Sequence, residues 1–187
     1  MKKKFALTLV SLASVALLAA CGEVSTTGNS GSASGTEIGK TLKIGFNFEE
    51  TGDVASYGTA EQKAAKLAVD EINKAGGVDG KQIEVTDKDN KSELSEASTV
   101  STNLVTQAKV NAIIGPATSG GTGAAITNAA KASVPLVTPS GTQDDLTKGQ
   151  DYLFRTTFID SFQGKILSKY VTDNLKAKKV VLYYDNS

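Results

Sequence analysis

Ser119 stands in a run of glycines and hydroxyls, GPATSGGTG (residues 115–123), just ahead of a segment with helical apolar spacing. Glycines let a solute come close to the backbone, and a helix start carries amides without intrahelical acceptors at the positive end of the peptide dipoles. That combination suits an anion, and one carboxylate fits both space and charge. The plainer reading is that Ser119 caps the helix and the glycines serve the turn. A second segment, PSGTQ (residues 139–143), offers the backbone and hydroxyl groups of Ser140 and Thr142, which ordinary loop hydrogen bonding would also explain. A third, EETGDVASYG (residues 49–58), sets Tyr57 in a glycine-bounded loop. An aromatic there can close over an apolar side chain or simply pack on the surface.

Catalytic chemistry finds little to work with. The chain has no histidine, so the commonest general base and the commonest metal ligand are missing, and no Ser-His-Asp arrangement can form. TSGGTG lacks the lysine of a phosphate loop, and the first helical segment opens without G-x-G-x-x-G. Asp87, Asp89 and Asn90 hint at calcium, but the twelve-residue loop pattern is absent, and a solvated strand exit is the expected role. Formal charge is zero; without Lys2, Lys3 and Lys4 it is 17 basic against 20 acidic residues, a net −3. No basic field recruits nucleic acid. The reading is a binding protein rather than an enzyme, with no cofactor and no metal.

Alternating strands and helices must hold those loops. LKIGFNF (residues 42–48) reads as a strand with apolar residues at alternate positions, followed by a helix over 59–75. Thr59 and Gln62 have capping-box spacing, Ala64, Leu67, Ala68, Ile72 and Ala75 fall on one face, and Gly76-Gly77 ends the helix. A strand over 82–86 and a helix over 93–108 follow, the latter burying Leu94, Ala97, Ser101, Leu104, Val105 and Ala108. Then come a strand over 110–114, a helix over 122–132 and a strand over 134–138. Apolar runs such as AII and PLV suit strands buried on both faces, and the alternation predicts a doubly wound α/β sheet with parallel strands. Ligands in such sheets bind beyond the carboxyl ends of the strands, where the three loops lie. Past Thr138 the rhythm slips: a polar loop over 139–151, an extended FRTT (residues 154–157), a helix over 162–175 with Phe162, Ile166, Leu167 and Tyr170 on one side, and a strand VVLYY (residues 180–184). These last elements cannot bury a core alone, so they read as the beginning of a second, truncated lobe.

The first 40 residues differ in kind. Lys2, Lys3 and Lys4 precede an apolar stretch over 5–18 and the small residues Ala19 and Ala20, the layout of a secretory signal too short for an ordinary spanning helix. The one cysteine, Cys21, follows Leu18-Ala19-Ala20 and has no internal partner. Leu-Ala-Ala-Cys resembles the lipobox of bacterial lipoproteins, whose cysteine is acylated and becomes the mature N-terminus. Residues 22–40, rich in Ser, Thr, Gly and Asn, read as a flexible tether spanning roughly 24 Å.

KIG (residues 43–45), TG (51–52), YG (57–58), AVDEINKAGGVDGKQIEV (68–85), AIIGPATSG (112–120), PLVTPSGT (135–142) and FRTT (154–157) occur in one order. Together they resemble the type I periplasmic binding proteins of ABC importers, particularly the leucine/isoleucine/valine-binding proteins, over nearly all of residues 41–187. Behind the signal peptide over 1–20 and the lipidated Cys21 and tether over 21–40, the resemblance implies a first α/β lobe over 41–157 and the start of a second over 158–187. It implies an amino acid enclosed as the lobes close, with Ser119 and nearby amides on its carboxylate. Ser140, through its carbonyl, and Thr142, through its hydroxyl, would meet the ammonium and adjoining polar atoms, and Tyr57 the side chain. The implied partners are membrane permease subunits, with a monomer held by its lipid at the outer face of the cell membrane. An alternative role is a sensory domain that passes closure to a signalling partner; an exported hydrolase would need a catalytic group from elsewhere. FNFEE (residues 46–50) departs from the family pattern by carrying two acids, which predicts an altered pocket mouth.

Overall fold

β1 (Leu42–Phe48) is buried from Ile44 to its end, because it lies inside the sheet with helices on both faces. The computed structural model describes residues 38–184. The expected signal sequence, Cys21 and nearly all of the tether lie outside that range. After β1 come α1 (Ala55–Lys74), β2 (Ile83–Asp89), α2 (Leu94–Asn103), which continues as a π-helical turn (Leu104–Ala108), and β3 (Ala112–Ile114). Then follow α3 (Ser119–Lys131), β4 (Leu136–Thr138), β5 (Leu153–Arg155) and α4 (Asp160–Lys169), which ends in a second π-helical turn (Tyr170–Asn174). All strand pairs are parallel, in the order β2-β1-β3-β4-β5. The α/β doubly wound sheet expected from the alternation is present.

Side chains alternate across the sheet with period two. On one face Ile44, Phe46 and Phe48 pack with Ala65 and Val69 of α1, the two phenyl rings edge to face at 5.6 Å. On the other, Leu104, Val105, Ile113, Ala125, Ile126 and Leu136 join α2 and α3 to the strands. Asn47 turns to this second face and donates from Nδ2 to the Ala97 carbonyl at 3.0 Å.

Several boundaries differ from expectation. α1 starts at Ala55, four residues early, and the Thr59–Gln62 capping box does not form. Thr59 Oγ1 donates back to the Ala55 carbonyl at 2.6 Å, and Gln62 is buried, donating to Asp87 at 2.8 Å. The face of α1 is also rotated: Gly58, Gln62, Ala65 and Val69 face inward, while Leu67 is 60% exposed. Gly58 decides the rotation, because α1 lies directly on the Glu49 backbone there and any Cβ would overlap the Glu49 carbonyl. An alanine-rich helix has apolar residues on several faces, so a close backbone approach outweighs its weak stripe. α3 begins at Ser119 instead of Thr122. β2 runs on to Asp89, while β3 and β4 are shorter than predicted. The predicted strand over 180–184 does not form, and Tyr183 is 99% exposed. A strand needs a neighbour to take its hydrogen bonds, and none of the described elements lies beside it. The apolar side of α4, with Phe162, Ile166, Leu167 and Tyr170, is likewise uncovered.

The exit of β2 is partly solvated, as expected, and is also a hub of hydrogen bonds. Asp87 pairs with Lys66 at 2.6 Å, and Asn90, 1% exposed, donates to Asn47 Oδ1 at 3.1 Å. Asp89 accepts from Thr51 Oγ1 at 2.6 Å and from the amides of Lys91, Glu50 and Thr51 at 2.7, 3.0 and 3.2 Å. Burial pushes its carboxyl up, but the Thr51 hydroxyl and those amides outweigh burial and hold it below its usual value. Among the described residues no cluster of metal-ligating side chains exists, and no helix is long and apolar enough to cross a membrane.

A folded-state carboxyl held low contributes stability above its unfolded value, near pH 4, and loses it as pH falls through the lower folded value. Asp89→Asn should therefore cost stability at pH 7, and its deficit relative to wild type should shrink on acidification below about pH 4, as read by urea denaturation across a pH series.

Candidate functional site

The order β2-β1-β3-β4-β5 reverses direction between β1 and β3, and an open parallel sheet has a crevice outside its strand ends at such a point. A cleft of about 560 Å³ lies there. The loop after β1 and the start of α1 contribute Val54 and Tyr57; the loop after β3 contributes Ala117, Thr118 and Ser119. The loop after β4 contributes Ser140 and Thr142, and the exit of β5 contributes Thr157 and Phe158. All four residues singled out from sequence, Tyr57, Ser119, Ser140 and Thr142, thus line one cleft. Thr157 and Phe158 were not singled out, although they follow an extended segment whose carboxyl end had to reach the same rim.

The start of α3 is built differently from the expectation. Thr118, not Ser119, is the cap: its Oγ1 accepts from the Gly121 amide at 3.1 Å. The Thr122 amide bonds to the Thr118 carbonyl, which leaves the amides of Ser119 and Gly120 without an intrahelical acceptor. One carboxylate is already present, and it belongs to the protein. Glu49, 1% exposed, accepts from the Ala117 amide at 2.9 Å, the Thr118 amide at 3.2 Å and Thr118 Oγ1 at 2.9 Å. The two acids of FNFEE therefore do not line the cleft: Glu49 turns inward to hold the β3–α3 loop. Glu50 lies toward β2, where burial, then Asp87 and Asp89, push its carboxyl up.

The hydroxyls at the rim are wired to their surroundings. Ser119 Oγ accepts from the Gln143 amide at 3.2 Å, joining the loops after β3 and β4. Arg155 Nη1 donates to the Gln143 carbonyl at 2.7 Å and the Gly141 carbonyl at 3.3 Å, bracing the residues on either side of Thr142. The Thr142 carbonyl accepts from the Asp160 amide at the start of α4 at 3.0 Å. Ser140 Oγ donates to Glu61 of α1. Tyr57 and Phe158 are about half exposed or more and leave the cleft with an aromatic wall on either side. Hydroxyls, two unpaired amides and flanking rings make this a site for holding a small polar solute with an apolar part. No general base stands among the lining residues.

The chain belongs to the periplasmic binding protein family, whose pattern matches residues 41–187. A leucine-, isoleucine-, valine-, threonine- and alanine-binding protein of Pseudomonas aeruginosa is 32% identical over 156 residues, covering 83% of this chain and 42% of the relative. The branched-chain amino acid transporter substrate-binding protein LivJ of Streptococcus pneumoniae, solved with isoleucine, is 73% identical with a TM-score of 0.76, covering 78% of this chain and 42% of that one. An ABC transporter substrate-binding protein of Desulfitobacterium hafniense, solved with leucine, is 26% identical with a TM-score of 0.69, covering 79% and 43%. The chain spans about two-fifths of the length of these relatives.

Removing the Glu49 carboxylate leaves two loop amides and a hydroxyl without their acceptor, and an unmet buried donor costs about 1–3 kcal/mol. Glu49→Ala should lower unfolding stability by at least that amount in urea titration, and should raise hydrogen exchange at the Ala117 and Thr118 amides.

Proposed function

We propose that this chain is the membrane-anchored, extracytoplasmic substrate-binding part of an ABC importer for branched-chain or related amino acids. The observation that carries the reading is the cleft itself: Ser119 beside two unpaired amides at the start of α3, with Ser140 and Thr142 on the adjoining loop. The amides and the positive end of the helix take the α-carboxylate. Ser140, through its carbonyl, and Thr142 take the ammonium and neighbouring polar atoms, while Tyr57 contacts the side chain. The amino acids bound by the relatives, isoleucine and leucine among them, support this class of ligand.

Residues 41–157 form the first lobe in this reading, and residues 158–187 begin a second. The uncovered apolar side of α4 is what the remainder of that lobe would bury. Ligand held against the first lobe makes further contacts when the second closes, and the difference in affinity between the two states drives closure. The protein performs no catalysis. It acts as a monomer that hands its ligand to permease subunits. Cys21, acylated after removal of residues 1–20, anchors it, since burial of about 0.8 kcal/mol per CH₂ over two or more acyl chains holds stably.

Isothermal titration of the complete receptor with leucine, isoleucine and valine should give saturable heat with at least one of them. Ser119→Ala with Thr142→Ala should weaken that binding by at least about tenfold, the loss expected for one charge-assisted hydrogen bond; absence of heat with every amino acid tested would overturn the reading. Separately, Cys21→Ser should abolish incorporation of radiolabelled palmitate and release the protein from the membrane fraction. Retention of label in that variant would rule out the anchor.

A further inference from the structure

Glu61 lies one helical turn after Tyr57 on α1 and is absent from the cleft lining, yet it reaches the site through Ser140. Ser140 Oγ donates its one hydrogen to Glu61 Oε1. The other carboxylate oxygen, Oε2, is buried and meets no donor. No lysine or arginine pairs with Glu61 among the described residues, whereas Asp87 has Lys66. A buried carboxylate oxygen without a donor is costly and uncommon, and calls for a functional or structural reason.

The reason lies in the polarity of the two serines. A hydroxyl has one hydrogen to give and lone pairs to accept with. Ser119 Oγ accepts from the Gln143 amide, so its hydrogen stays free for an acceptor in the cleft. Ser140 Oγ has spent its hydrogen on Glu61, so only its lone pairs and its carbonyl remain for a solute, and both are acceptors. One end of the cleft therefore donates and the other accepts, with an unneutralised carboxylate behind the accepting end. The opposite assignment, Glu61 protonated and donating to Ser140, would free the serine hydrogen and erase the difference. Burial, against the opposing pull of the Ser140 hydroxyl and with the charge of Glu49 beside it, holds the Glu61 carboxyl above its usual value.

We propose that Glu61 is a positioning residue that makes Ser140 the accepting end of the cleft and thereby selects solutes that carry an ammonium over otherwise identical ones that do not. This rests on the amino-acid reading given above. It places the first discrimination for the amino group within this lobe, before any second lobe closes. Glu61→Gln keeps the shape but removes the charge, and its amide can donate to Ser140, which releases the serine hydrogen.

The test compares L-leucine with 2-hydroxy-4-methylpentanoate, which keeps the carboxylate and side chain but lacks the ammonium, by calorimetry and by competition on the complete receptor. Glu61→Gln should weaken leucine roughly 10- to 100-fold, the range for hydrogen bonds to charged groups, and change the hydroxy acid by less than about twofold, with an unaltered melting temperature. In the Ser140→Ala background the further effect of Glu61→Gln on leucine should largely vanish, which a general packing defect would not produce. Equal weakening of both ligands, or unchanged leucine affinity in Glu61→Gln, would overturn the proposal while leaving a wild-type amino-acid receptor intact. A wild-type receptor that binds none of leucine, isoleucine and valine would overturn the underlying reading, and this one with it.

Discussion

The buried carboxylate of Glu49 ties the end of β1 to the loop before α3, and the geometry of the cleft follows from that tie. Its oxygens take the Ala117 and Thr118 amides and the Thr118 hydroxyl. A buried carboxyl group is costly unless its lone pairs are met, and the loop meets them here. With the loop set, Thr118 caps α3, and Ser119 becomes the first residue of the helix, facing the crevice. A glycine at position 58 lets α1 lie against the same Glu49 backbone from the other side. β1, α1 and α3 therefore converge on one residue.

Around that fixed point the remaining rim is organised by backbone carbonyls and a single arginine. Arg155 at the end of β5 holds the loop after β4 at two carbonyls, and that loop in turn reaches Ser119 through the Gln143 amide. Four strand ends, from β1, β3, β4 and β5, thus act as one rim. Groups fixed in this way before a solute arrives would lower the entropy cost of binding one. The aromatic residues Tyr57 and Phe158 are the exposed parts of this arrangement, and they line the cleft.

The two acids near the site have separate work. Glu49 spends its charge on the protein's own amides, whereas Glu61 keeps one oxygen unmet and engages the cleft through a serine. Substituting either would change the site for a different physical reason, one through loop position and the other through hydrogen-bond direction.

Much of this was readable in the linear order of residues. Runs such as AII and PLV announce strands buried on both faces, and glycine-rich loops behind them mark the carboxyl rim, so the parallel sheet follows from local pattern, as does the placing of Tyr57, Ser119, Ser140 and Thr142 on one rim. The rotation of α1 did not, since its alanines offer no clear stripe and a contact with Glu49, nine residues before Gly58, decides it. The cap of α3 did not either: Thr118 and Ser119 are equally able by type, and the distant Glu49 selects between them. Nor could the acids of FNFEE be assigned to mouth or interior, because alternation tells which face a residue takes and not what it meets there. VVLYY has strand composition yet stays unpaired, as a strand exists only with a neighbour. Local chemistry determined which groups could bind; contacts between residues far apart in the chain decided which way each group points, because hydrogen-bond direction and helix rotation are settled by partners that short-range spacing does not reveal.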